Sequence, residues 1–407
     1  MLKSANKNVR LLMLSQAFFL ASSMTLVSFA GLAGKALSDD PSYATLAMSL
    51  AVLATALSTA PMSMLMQKKS RRFGFRLGSF FGVIAGLTGA VSLAVGSFWL
   101  LCVAGALMGP FQASAQYYRF AAAESVPTGQ APRAISLVLI GGLLAAIVTP
   151  SITMWLNIQF GATSYMGAFL FIACAAALVM VPLAFFAPLD KPLGSDKAAA
   201  DNTNARPLSE VASTPKFIIA VVNASLGYAM MAFVMTATPL AIQAHGFSAD
   251  IGSRVIQGHV IAMFLPSLFT GHLIGRFGIL PMLFSGHLLF ATAFLIALSG
   301  SEVWHFSVAL VALGVGWNFC FVGGSALLTE AHRDSEKGKV QGLNEFVVFG
   351  MSAVASFAAG VILSSYGWSF VNQAAFAMLA VAAGVTAVLG GMQRVRRTKH
   401  ERNIGEA

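Results

Sequence analysis

Charge is what this sequence lacks. Of its 407 residues only 10% are Asp, Glu, Lys or Arg, while 57% are hydrophobic; ordinary soluble domains run about 25% and about 45–50%. So few charges cannot cover a water-soluble fold of this size, which excludes a soluble enzyme or a soluble binding module. Cysteine is scarce as well. Cys102, Cys174 and Cys320 all fall inside apolar runs, offer neither a disulfide framework nor metal-ligand spacing, and read as small buried residues. The chain has no H-E-x-x-H, no cluster of histidine with carboxylates and no G-x-S-x-G turn. An integral-membrane enzyme needs a constellation of that kind, so neither enzymatic activity nor a metal or cofactor is expected.

What is present instead is a set of long runs without any charge: 11–34, 41–67, 77–118 and 134–189, then 217–249, 255–275, 277–301, 303–329 and 346–393. A spanning helix needs about 20 apolar residues. Six of the runs therefore hold one span each. The runs 77–118, 134–189 and 346–393 hold two, broken by turn formers near Gly96-Ser97, around Asn157–Gly161 and at Gly367-Trp368-Ser369. The expectation is an all-α membrane protein with 12 transmembrane helices. The first run is too long for a signal h-region and is not followed by a polar mature domain, so no cleaved leader is expected.

Lys and Arg set the orientation. One set of loops carries 23 of the 25 cations, among them Lys68, Lys69, Arg71, Arg72 and Arg76 in one loop and Arg394, Arg396, Arg397, Lys399 and Arg402 at the end; the opposite set has Lys35 and Arg254 alone. Both termini are therefore expected in the cytoplasm. Topology and anionic lipid then account for the formal charge of +10, and no nucleic-acid partner is invoked.

A polar stretch rich in Ala, Asn, Ser, Asp and Lys at 190–216 reads as a flexible cytoplasmic linker. It divides the chain into an N-terminal six-helix bundle (1–189), the linker, a C-terminal six-helix bundle (217–393) and a basic cytoplasmic tail (394–407). Duplicated halves leave traces. Arg71-Arg72-Phe73-Gly74 follows span 2, and Gly275-Arg276-Phe277-Gly278 follows span 8. Glu124 and Glu330 stand near the inner ends of spans 4 and 10, with Phe111-Gln112 matching Trp317-Asn318 at the same offset.

On these features the chain resembles the major facilitator superfamily of secondary transporters. The family's loop signature, Gly-x-x-x-Asp-Arg-x-Gly-Arg, is met best by Gly271-His-Leu-Ile-Gly275-Arg276-Phe-Gly278. The first copy keeps Arg72 and Gly74 but has Gln67 at the leading glycine position and Arg71 at the aspartate position. Gly105 and Gly109 lie in span 4 without the arginine that many relatives carry before them, so proton–drug antiport receives no specific support. The resemblance implies two six-helix bundles and a central cavity lined by spans 1, 4, 7 and 10, with the solute near mid-membrane.

Half-way along those spans stand the candidate substrate contacts. In span 4, Gly105, Gly109, Gln112, Gln116 and Arg119 share one helical stripe; the glycines read as helix packing, and Gly109-Pro110 is expected to bend the helix. Gln112, Gln116, Tyr118 and Arg119 would face a solute carrying anionic or carbonyl oxygen, with lipid anchoring the competing account of Arg119. Trp317 and Asn318 of span 10 and Tyr228 of span 7 suit a planar ligand, the ring stacking and the amide orienting. In span 1, Ser22, Ser23 and Thr25 read as hydroxyls bonding backbone. Arg72 with Glu124, and Arg276 with Glu330, read as paired gating latches, set by Gly74, Gly271 and Gly278. All 15 acidic residues are expected outside the span interiors, and His259, His272 and His287 read as bonded within helix packing, so a coupling proton is left open as a partner.

The function expected is movement of a small organic solute by alternating access, as import of a neutral or anionic planar metabolite, vitamin-like or chelate-like, by a monomer in the bacterial inner membrane. Export of hydrophobic toxicants is the alternative. A transporter-like sensor or scaffold is the other class, disfavoured because no extramembrane segment is long enough to fold alone.

Overall fold

The computed structural model describes residues 7–38, 43, 46–160, 165–187 and 205–405. Residues 190–204 of the expected linker and the chain turn at 161–164 lie outside this set. The regular elements among the described residues are all helices, without a strand. Contacts divide the chain into two units, one of Met1–Ala205 with Asp334–Gly350 and one of Arg206–Arg333 with Met351–Ala407.

Unit 1 is built from α1 (Lys7–Leu37), α2 (Leu46–Lys68), α3 (Arg71–Val95), α4 (Phe98–Ala115), α5 (Tyr118–Glu124), α6 (Ala131–Gln159) and α7 (Met166–Ala184). Helix α1 packs on α6 and α7, α2 on α4, and α3 on α4 and α7. With lipid outside, apolar surface alone does not drive helices together, so close approach at small residues does. A Cβ at Gly105 would run into the backbone of Ala47 in α2, and one at Gly109 into Ala54. The span 4 glycines are thus the seat of α2. Between α3 and α4 the expected break is made by Gly96, which takes φ +70, a conformation open to glycine. Ser97 then caps α4 by accepting from Leu100 N at 3.4 Å. Helix α4 continues through Pro110. The interruption comes instead at Gln116–Tyr117, where Tyr117 N donates to Ser114 O at 3.1 Å in a tightened turn before α5 begins.

Unit 2 contains α8 (Leu208–Ala212), α9 (Pro215–Ala244), α10 (Ala249–Phe264), a 3₁₀ turn at Leu265–Leu268, α11 (Thr270–Phe277), α12 (Ile279–Ser299) and α13 (Val303–Thr329). Helix α13 is the hub and packs on α9, α10 and α12. Thr214 caps α9, with Pro215 at its first position. Residues 205–216 are ordered by more than composition suggests: Val211 is fully buried and Arg206 donates to Ala331 O at 3.3 Å.

The last element, α14 (Lys337–Gly405), is one assignment across two helices, because Gly367 has φ 78 and ψ 179. This is the break expected at Gly367-Trp368-Ser369. Its first turns belong to unit 1 and the residues from Met351 onward to unit 2. Among the described residues, ten helices are long and apolar enough to cross a membrane. Residues Arg254–Leu268 and Thr270–Phe277, bent by 49° at their junction, make an eleventh if counted as one span. That span was expected to be continuous. Pro266 explains the break, since it lacks the N–H that the helix needs and crowds the preceding turn.

Candidate functional site

In unit 1 the polar side chains gather where α3, α4, α5 and the start of α14 meet. The turn at Gln116–Tyr117 swings the stripe expected on span 4, so that Arg119 points into protein and not toward lipid headgroups. Arg119 is 3% exposed, and its Nη2 lies 2.5 Å from Oε1 of Glu345, which is fully buried. Gln116 supports the same guanidinium through its carbonyl at 2.8 Å and its Oε1 at 3.4 Å, and the ring of Phe120 lies under it at 4.5 Å. Asn344 Nδ2 donates to Glu345 Oε1 at 2.6 Å. Three atoms in this region have no hydrogen-bond partner although buried: Glu345 Oε2, Asn344 Oδ1 and Tyr118 Oη. Tyr118 is held by its ring, edge-on to Phe75 at 4.8 Å. Gln112, two turns earlier in α4, also keeps Nε2 buried without a partner.

Glu345 overturns the reading that no acid lies within a span. It belongs to the span Lys337–Met392. The charge-free run began at Phe346 because Glu345 itself ended it, and a helix does not stop at a charge that has a buried partner. The latch also has a different partner. Glu124 pairs with Arg71, Nη2 to Oε1 at 2.6 Å and Nε to Oε2 at 3.3 Å, while Arg72 donates to Ala184 O. Consecutive helical residues point about 100° apart, so only one of the two arginines can face α5. Arg71 also donates to Gln341 Oε1 at 2.5 Å, and Lys337 Nζ lies 3.7 Å from Glu124. Gly74 leaves room for Met66, whose side chain a Cβ would strike.

In unit 2 the second latch is likewise repartnered. Glu330 pairs with Lys216 at 3.0 Å, both roughly 40–45% exposed, and Arg276 stands over the Phe277 ring at 5.3 Å. Gly271 is buried in α11. Gly278, at φ 89, turns the chain from α11 into α12.

The aromatic candidates do come together. Trp317 is stacked on Phe321 at 4.7 Å and 16°, and Tyr228 meets both edge-on, at 5.6 and 5.7 Å. Phe264 closes the group at 5.9 Å from Trp317. Phe321 was missed, although it lies one turn past Trp317. The indole Nε1 of Trp317 is buried without an acceptor. Asn318, by contrast, is spent within the protein. Its Nδ2 donates to Met263 O at 2.7 Å and to Ser267 Oγ at 2.6 Å, and its Oδ1 accepts from Thr270 Oγ1 at 2.7 Å. All three partners flank the break between α10 and α11, where Pro266 disrupts the backbone ladder.

The remaining polar candidates are packing groups. His259 Nδ1 donates to Leu310 O at 2.7 Å, and His287 Nε2 donates to Asn223 Oδ1 at 2.8 Å. Asn223 in turn donates to Thr386 Oγ1 at 2.7 Å. Ser22 bonds Ile172 O and Thr25 bonds Ala21 O. Cys102 and Cys320 are buried, but Cys174 is exposed on α7. No metal-ligand cluster occurs among the described residues.

The sequence pattern of the Major Facilitator Superfamily matches residues 12–265 and 255–407. The chain belongs to this family. It is 40% identical over 378 residues to the riboflavin transporter RfnT of Brucella anthropi, covering 93% of this chain and 94% of that one. It is 25% identical to YdeG, an uncharacterized MFS-type transporter of Bacillus subtilis, over 87% and 85% of the two chains. Among solved structures it is similar to an outward-facing bacterial homologue of the iron transporter ferroportin (TM-score 0.74, 14% identity, 94% and 99% covered). It is similar also to the human organic anion transporter MFSD10 (TM-score 0.77, 14% identity, 93% and 99% covered). At those identities the two structures speak for the fold alone. As a superfamily member the protein is a multi-pass integral membrane transporter of a small solute and not an enzyme.

Proposed function

We propose that this transporter imports a planar vitamin of the flavin class, with riboflavin as the first candidate, by alternating access across the bacterial inner membrane. The observation that carries this reading is the 40% identity, sustained over 93% of the chain, to a transporter named for riboflavin. The aromatic group of Tyr228, Trp317 and Phe321 supports it, because a fused aromatic solute gains from ring faces and from a free indole donor. Gln112, Gln116, Tyr118 and Arg119 supply hydrogen bonds to solute oxygens. Asn318 is assigned to holding the bent span. Twelve spans with both termini cytoplasmic, the division at 190–216 and action as a monomer belong to the same proposal. The gating pairs are Arg71–Glu124 and Lys216–Glu330 in place of those expected from Arg72 and Arg276.

A bacterial strain unable to make riboflavin and lacking its own uptake system provides the test. Expression of this chain should restore growth on micromolar riboflavin, and a Trp317→Ala variant present in the membrane at equal level should not. Failure to restore growth, together with lowered cellular accumulation of a hydrophobic dye, would point to export instead.

A further inference from the structure

Trp317 is 2% exposed, yet its indole Nε1 has no acceptor, and a buried donor left unpaired is costly. A solute oxygen or ring nitrogen would supply the acceptor, but three rings surround the indole. Phe321 stacks on it from the same helix, Tyr228 reaches it from α9 and Phe264 from α10. A solute meets the N–H only after one of these rings moves.

Phe264 is the ring whose backbone is placed to move. Phe321 and Tyr228 lie well inside α13 and α9. Phe264 ends α10, at φ −107 and ψ −28, and the chain then passes through the 3₁₀ turn Leu265–Leu268 before α11 departs at 49°. A 3₁₀ stretch inside a span is a common hinge. The two arms of this hinge are held differently. Helix α10 is clamped to α13, by His259 Nδ1 donating to Leu310 O at 2.7 Å and by Gly314, where a Cβ would meet His259 O and Met263 N. Helix α11 is tied through Thr270 Oγ1, which donates to Asn318 Oδ1. Asn318 Nδ2 donates in turn to Met263 O and Ser267 Oγ, so one amide pins the chain immediately before Phe264 and three residues after it. On α13 the residue that holds the hinge is thus the neighbour of the residue offered to the solute.

We propose that Phe264 is the gate of the Trp317 site and that the hinge in span 8 carries it. When the 3₁₀ turn rearranges, the Phe264 ring leaves the indole, and a ring carbonyl or ring nitrogen of the solute takes the N–H. The solute binds the open arrangement, so its binding shifts the hinge toward that arrangement, and a change that opens the hinge raises affinity reciprocally. Helix α11 moves with the turn while α10 stays on α13. Phe264 is therefore a positioning residue, which converts occupancy at Trp317 into a change of bend. This inference rests on the transport reading above and adds the moving part of span 8.

Exchange of indole protons with water, read by NMR of the detergent-purified full-length protein isotope-labelled at the indole nitrogens, tests the gate without any solute. The cross-peak missing in Trp317→Phe assigns the site. Asn318→Ala and Thr270→Val, which loosen the hinge, should each speed exchange of the Trp317 N–H several-fold, as should Phe264→Ala. Trp368, whose indole donates to Ala297 O at 3.2 Å, should stay unchanged. Riboflavin should slow the Trp317 exchange in the wild type and, in deuterium exchange read by mass spectrometry, alter peptides covering 265–277 but not those within 254–262. Phe264→Ala should still bind riboflavin, without that change at 265–277, and should lose maximal uptake rate several-fold with KM no higher; Phe264→Tyr, which keeps a ring, should restore the rate. Equal Trp317 exchange in wild type, Asn318→Ala and Thr270→Val overturns the proposal, as does bound riboflavin that leaves 265–277 unaltered in the wild type or alters it equally in Phe264→Ala. Should Asn318→Ala fail to fold, Thr270→Val, which keeps the side-chain shape, decides it. If the wild type binds no riboflavin, the substrate reading falls, and the indole exchange still decides the gate.

Discussion

Nη2 of Arg119 stands 2.5 Å from Oε1 of Glu345, with 3% and 0% of the two side chains exposed. The pair joins a residue that the sequence marks as a candidate to one that its charge pattern hides, and it places an acid inside a span.

Removal of one member leaves a buried charge without compensation, at a cost of about 3–5 kcal/mol. Arg119→Met or Glu345→Leu alone should therefore lower the thermal unfolding midpoint of the detergent-purified protein clearly. The double variant should recover most of the loss, because an apolar pair of similar volume replaces both charges. If the single variants melted like wild type, the pair would not be buried as described.

The two latch pairs should behave unequally. Lys216–Glu330 is roughly 40–45% exposed and such pairs contribute about 0–1 kcal/mol, so Lys216→Ala should leave the midpoint within error. Arg71 is 5% exposed and holds both Glu124 and Gln341. Arg71→Ala should lower the midpoint well beyond that, whereas Arg72→Ala should not approach it. Equal effects from Arg71→Ala and Arg72→Ala would contradict the pairing.

Asn318 is expected to act on the bent span. Asn318→Ala removes the amide that ties the carbonyl of Met263 and the Ser267 hydroxyl to Thr270, a loss of about 1–3 kcal/mol for a buried group. Hydrogen exchange measured by mass spectrometry should quicken in peptides covering 263–270 and stay unchanged in α1. Protection unaltered there would return Asn318 to the solute-facing set.

Most of the helical pattern was legible in the sequence because lipid imposes it: a span must be long and uncharged, and Gly96 and Gly367 mark breaks that only a residue free to take positive φ makes at no cost. The site was legible in part. Trp317 and Tyr228 were found because aromatic side chains at mid-span are conspicuous, and their mutual contact follows from α9 packing on α13. Glu345 was lost for a physical reason. A scan for charge-free windows treats every charge as an end, whereas a charge with a buried partner from α5 can sit inside a span. The same blindness gave Arg72 the role of Arg71, since residue spacing does not say which of two adjacent arginines faces the neighbouring helix. Pro266 was visible within the run 255–275, but the partner that makes its break tolerable, Asn318, lies 52 positions further along the chain.

The cargo proposed for this superfamily member is a flavin. Its most direct measurement is the flux of radiolabelled riboflavin into liposomes holding the purified full-length protein, followed by the radioactivity they retain. The account predicts saturable uptake that excess unlabelled flavin competes away, that protein-free liposomes lack, and that Trp317→Ala reduces at least tenfold while Trp317→Phe largely preserves it, stacking on an aromatic side chain contributing about 1–3 kcal/mol. Uptake no faster than in protein-free liposomes, or equal in wild type and Trp317→Ala, would contradict it.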